Sequence, residues 1–163
     1  VTSAKFIVAD ASPLIGLARI NHLDLLNNLF DEVILHTIVA EECTLNLSKP
    51  GAKVIDKAIQ DKLLKVRTVK TDHSLANSLL DAGEIAAISL AKELQCAILI
   101  DDKQGRLTAK NNELKVIGLV GVLLLAKQRN LIPKVAPLLT DLIMMDYFIE
   151  KSLINEILKI AGE

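Results

Sequence analysis

Tryptophan is absent from the 163 residues, and the other aromatics amount to three phenylalanines and one tyrosine. A core built from this chain must be aliphatic, and the 51% of apolar residues supplies it. The same scarcity speaks against a surface of aromatic platforms for stacking bases. Cysteine is nearly missing as well. Cys43 and Cys96 are too far apart for any zinc, haem or redox motif, and both are expected as buried thiols in a reducing compartment. His22, His36 and His73 are scattered, and His36 is expected as a surface imidazole. No charge sign dominates, because 19 basic residues meet 20 acidic ones for a net −1. No global positive field draws the chain onto nucleic acid, so any such contact must be local. No apolar run reaches the ~18 residues of a membrane span, and no signal-peptide pattern is present. The longest run, "VIGLVGVLLLA" (116–126), reads as a buried helix. G-x-S-x-G, Walker A and G-x-G-x-x-G are also missing, which removes the common hydrolase, nucleotide-triphosphatase and dinucleotide readings. The expectation is a soluble, cytoplasmic protein with no membrane partner. Its length fits a single domain over 1–163, with 135–163 as closing C-terminal helices.

What is present is alternation. Compact apolar runs, "KFIVA" (5–9), "EVILH" (32–36), "AILI" (97–100) and "LKVIG" (114–118), read as strands, with a weaker one at "LLKVRTV" (63–69). Helical patterns fall between them: 12–20 with Ser12 as N-cap, 22–30, 37–47 capped by Thr37, 50–62, 72–80, 81–95, 103–111 and 119–130. Two amphipathic helices, 135–145 and 151–161, close the chain. Strands alternating with helices imply a parallel sheet covered on both faces. The expected fold is α/β, a three-layer α/β/α sandwich with four or five parallel strands.

That fold gathers the acids. Asp10 ends the first strand, and Asp101 and Asp102 end a later one. In a parallel sheet those ends share one edge. Helices that follow or precede the strands place Glu41, Asp81 and Glu84 at the same edge, where open α/β sheets bind ligands. Crowded carboxylates repel one another, and a hard divalent cation such as Mg²⁺ or Mn²⁺ is the usual remedy. Such a site suits phosphodiester hydrolysis. Lys103, Arg106 and Lys110 follow the second acidic cluster and are candidate contacts for a nucleic-acid backbone. Each acid also has a plainer reading: a strand-end turn for Asp10, a capping box for Asp81 and Glu84, a solvated face for Glu41 and Glu42, an N-cap for the "DD" pair.

The ordered set "IVADASPLI" (7–15), "VAEE" (39–42), "LDAGEIAAISLAKE" (80–93) and "ILIDDKQGR" (98–106) resembles the PIN-domain family of metal-dependent ribonucleases. "VIGLVGVLLLAKQRNLI" (116–132) resembles a prokaryotic subgroup whose members are similar to toxins of toxin–antitoxin pairs. The resemblance implies that Asp10, Glu41, Glu84 and one of Asp101 or Asp102 hold Mg²⁺ or Mn²⁺, with Ser12 assisting beside Asp10. It implies hydrolysis of RNA, a small antitoxin protein as partner and a homodimer as a common state. Many PIN domains carry a Thr or Ser shortly before the last acid, whereas Ile100 stands here, which leaves Asp101 and Asp102 as alternatives. By strand alternation the two point to different faces. Two other classes stand beside this reading. A non-catalytic PIN-like binding module would have no need for the full acid set. A receiver-like Mg²⁺-binding signalling domain would need a Lys after "LKVIG", where none stands.

Overall fold

A computed structural model describes residues 5–76 and 79–163. Five strands form one parallel sheet: β1 (Phe6–Ala9), β2 (Glu32–His36), β3 (Lys65–Arg67), β4 (Ala97–Leu99) and β5 (Val116–Ile117), in the order β3-β2-β1-β4-β5. Ile7 lies opposite Val33 on one side and Ala97 on the other. The central strands need no polar face, because both sides are covered. Ile7, Val8 and Ala9 are fully buried, as are Ile98 and Leu99 of β4. The short edge strand β3 is exposed along its length.

The helices are α1 (Ala11–Arg19), α2 (Leu25–Leu29), α3 (Thr37–Thr44), α4 (Ala52–Gln60), α5 (Ala82–Leu94), α6 (Lys103–Asn111), α7 (Leu119–Gln128), α8 (Ala136–Met144) and α9 (Lys151–Ala161). The strand order reverses direction after β3. Right-handed crossovers therefore put α1–α4 on one face and α5 and α6 on the other. α1 packs on α3, α4 and α7, α2 packs on α7, and α5 packs on α6, β1, β2 and β4; α3, which starts at the strand-end edge, also packs on α5. This is the expected α/β/α arrangement. The reversal leaves β1 and β4 side by side at the switch point, so Asp10 and Asp101–Asp102 come off adjacent strand ends.

Two helix starts differ from the sequence expectation. Asp10, not Ser12, occupies the N-cap of α1, with extended backbone at φ −83° and ψ 164°. Ser12 is already inside the helix. The cap of α3 is His36, not Thr37: the His36 Nδ1 accepts from Ile38 N–H at 3.1 Å. That duty buries His36, contrary to a surface imidazole. The helix expected over 72–80 shrinks to one 3₁₀ turn, His73–Leu75, with residues 77 and 78 outside the described residues. Asp72 caps that turn: its carboxylate accepts from Ser74 N–H and Oγ–H and pairs with Lys92 on α5. No helix among the described residues is long and apolar enough to cross a membrane.

Candidate metal centre

Asp10 is the deepest charge of the molecule at 5% exposure, and it is held from both sides. Its N–H donates to Leu99 O on β4 at 2.9 Å, and its carboxylate accepts from the Ala11 N–H. Burial pushes the Asp10 carboxyl up to about 7, against the relief of the Ala11 bond, and Glu84, Asp81 and Glu42 raise it further. Negative charge is thus concentrated where water cannot screen it.

Glu84 comes from the first turn of α5. Asp81 caps that helix: its Oδ1 accepts from Glu84 N–H at 2.8 Å, while Glu84 Oε2 accepts from Asp81 N–H at 3.0 Å. The reciprocal pair fixes Glu84 on rigid backbone. Its carboxyl is raised by burial and then by the charges of Asp81, Asp102 and Glu42. The capping box and the acidic site are therefore the same residues, not competing explanations.

Glu41 does not join this group. It is exposed on α3 and does not line the cleft; its neighbour Glu42 is exposed and outside the lining too, but it is the one whose charge reaches Asp10 and Glu84. The reason is helical rotation. Val39, Ala40 and Cys43 are the buried positions of α3, and Glu42 adjoins them on the side facing α5. A Cβ at Gly83 would stand 2.7 Å from Glu42 Oε2, so glycine there leaves room for this carboxylate over the first turn of α5. Glu42 and Asp10 also help raise the buried Cys43 thiol to about 12, which keeps it an inert sulfur. Cys43 and Cys96 are both free; Cys43 is buried as expected, whereas Cys96, just before β4, is only half-buried.

The "DD" pair divides. Asp101 Oδ1 accepts from Leu119 N–H at 3.0 Å, the first N–H of α7, and its Oδ2 accepts from the Tyr147 hydroxyl. Asp102 caps α6 through Oδ2, which accepts from Gly105 N–H at 2.8 Å, and its charge reaches Glu84. Ser12 lines the cleft as well, with its hydroxyl beside the Tyr147 phenol.

Asp10, Ser12, Glu84, Asp101 and Asp102 open onto one cleft of about 970 Å³. Lys103, Arg106 and Lys110 line the same cleft from one face of α6, beside the aspartate pair, and Asp146 and Glu150 line it as well. A Cβ at Gly118 would fall 2.6 Å from Arg106 Nη1 and 2.6 Å from Asp101 Oδ1, so that glycine makes room for both. The sequence reading missed Tyr147 and Phe148, which form part of the wall. Their signal was available: half of the chain's few aromatics sit side by side in "MDYFIE".

The donor chemistry suits a hard cation, since every candidate ligand is a carboxylate oxygen and the most buried one is destabilised in its charged form. Among the described residues no three acidic, histidine or cysteine side chains are grouped to cage one ion. Mg²⁺ does not demand such a cage, because it commonly takes one or two carboxylates and keeps several waters.

Comparison with known proteins gives a consistent picture. A family model described as a PIN domain matches residues 6–163. The fold is similar to that of a PilT N-terminus domain protein from the hyperthermophilic archaeon Sulfolobus solfataricus, with a TM-score of 0.52 and 18% identity over 72% of this chain and 89% of that one. A domain of a functionally unknown protein from Methanocaldococcus jannaschii is also similar, with a TM-score of 0.46 and 18% identity over 71% of this chain and 91% of that one. No curated protein matches.

Proposed function

The chain belongs to the PIN-domain family, whose members are commonly nucleases, and we propose that it is a divalent-metal-dependent endoribonuclease, the toxin of a toxin–antitoxin pair. One observation supports this reading above the rest: a buried carboxylate at the switch point of the sheet, Asp10, opens onto a cleft that acids from two other segments and three cations of α6 also line. A scaffold or binding module gains nothing from so costly a group.

Asp10, Glu84 and an aspartate of the Asp101–Asp102 pair are the carboxylates of the cleft, of which one or two at a time, with waters, would hold Mg²⁺ or Mn²⁺. A divalent cation there supplies charge to a phosphoryl oxygen and acidity to a water. The remaining work belongs to the protein. Asp81 keeps Glu84 at the cleft through the capping box. Burial of Asp10 disfavours its bare anion, so a cation is welcome and a bound phosphate without one is not. Lys103, Arg106 and Lys110 take backbone phosphates of RNA on either side of the scissile one. Arg106 is half-buried and fixed beside Gly118, whereas Lys103 and Lys110 are exposed and free to follow the strand. Leu107, Phe148 and Leu153 at the rim are exposed, a surface that a small antitoxin covering the cleft would bury.

The test is cleavage of a labelled single-stranded RNA with Mg²⁺ or Mn²⁺. Asp10→Asn and Glu84→Gln should each abolish it, and chelator should stop the wild type. Cleavage that survives the double variant or excess chelator refutes the proposal.

A further inference from the structure

Tyr147 is the chain's single tyrosine, and its placement is built rather than incidental. Helix α8 ends in a Schellman motif. Asp146 takes the left-handed conformation at φ 60°, its N–H donates to Ile143 O at 3.0 Å, and Tyr147 N–H donates to Leu142 O at 3.0 Å. The reversal turns the Tyr147 ring inward onto Gly16 of α1. A Cβ at Gly16 would stand 2.9 Å from Tyr147 Cε2, so only glycine admits the ring there. At the ring's tip three segments meet. The Ser12 hydroxyl lies beside the phenol, and the phenol donates to Asp101 Oδ2. Asp101 Oδ1 is meanwhile taken by the Leu119 N–H.

Both oxygens of Asp101 are thus engaged with the fold. Asp102 has only Oδ2 on the α6 cap, is exposed, and lines the same cleft as Glu84. We propose that Tyr147 is a positioning residue that divides labour between the adjacent aspartates: its hydroxyl commits Asp101 to tying α1, β4 and α7 together, and leaves Asp102 as the carboxylate of the pair that serves the cation. This rests on the metal-dependent reading of the site. It also accounts for the absence of a three-acid cage among the described residues, because one strand-end carboxylate is held by its own fold.

The test is calorimetric titration of the full chain with Mn²⁺, with thermal melts in chelator run in parallel. Asp102→Asn should weaken Mn²⁺ binding about tenfold or more. Asp101→Asn should leave binding within about twofold while lowering the metal-free melting temperature, since it disturbs two hydrogen bonds of the fold. Tyr147→Phe should free Asp101, so Tyr147→Phe in the Asp102→Asn background should recover part of the lost affinity. That rescue is a readout no purely structural role would produce. Loss of binding in Asp101→Asn equal to that in Asp102→Asn overturns the inference, as does a double variant that binds no better than Asp102→Asn alone. Wild-type protein that takes up no Mn²⁺ overturns the metal reading and this inference together. Uptake by the wild type with no rescue overturns this inference alone.

Discussion

Replacing Asp10 by asparagine should make the metal-free protein more stable while destroying its activity. The native carboxyl titrates near 7, against 3.8 for the same group in an unfolded chain. The native state therefore holds the proton more tightly. Stability from this group is fully present below about 3.8 and is lost as pH rises through about 7. A gap of about three units at ~1.36 kcal/mol each gives ~4 kcal/mol of native-state penalty at pH 8. Water entry and local relaxation soften such burial costs, so ~2 kcal/mol is the working figure. Asparagine keeps the shape and still accepts from the Ala11 N–H, but it carries no charge at any pH. At ~2–4 °C per kcal/mol, the variant should melt about 4–8 °C above the wild type at pH 8 in chelator. The difference should close as pH falls toward 4. Adding Mg²⁺ should raise the wild-type melting temperature by mass action and move the variant less. Urea or thermal melts across pH 4–8 give the measurement. A variant no more stable than the wild type at pH 8, or a gap independent of pH, refutes the electrostatic account of this site.

Three further outcomes follow from the geometry. Glu42→Gln should lower the pH at which Asp10 titrates and weaken Mn²⁺ binding, while Glu41→Gln should leave both unchanged; NMR titration and calorimetry distinguish the two. Gly16→Ala drives a methyl to 2.7 Å from Leu119 Cδ1 and 2.9 Å from Tyr147 Cε2, and should cost about 1–3 kcal/mol in a chemical melt. Alanine at Lys103, Arg106 and Lys110 should weaken binding of single-stranded RNA at low salt, with the log–log salt slope falling by about 0.7 for each phosphate contact removed. A slope unchanged in the triple variant would take these cations off the RNA path.

Much of this molecule could be read from its residues in order. The strand β2 and the helices α6 and α9 fall where the apolar period and capping signals put them, over 32–36, 103–111 and 151–161. Alternation of short apolar runs with amphipathic helices is enough to require a parallel sheet, and a parallel sheet brings all strand ends that carry acids to one edge. What misled was local and has local causes. Ser12 and Thr37 look like caps by residue type, but the preceding Asp10 and His36 already have the extended backbone that a cap needs. The run at 72–80 has helical composition, yet Asp72 is drawn to Lys92 on a helix distant in the chain.

The acidic site divides in the same way. Sequence alone brings Asp10, Asp81, Glu84 and the "DD" pair to one rim, because strand and helix direction follow from element order. It cannot choose between Glu41 and Glu42, since that depends on the rotation at which α3 settles on α5. It cannot choose between Asp101 and Asp102, since that depends on a hydroxyl 46 residues away. Nor does it place Tyr147 and Phe148 at the cleft, because α8 must first pack and reverse at Asp146. Direction along the chain is a local property, and the amino-acid order determines it. The facing of a single side chain depends on which distant surface it meets, and only the packed tertiary structure decides that.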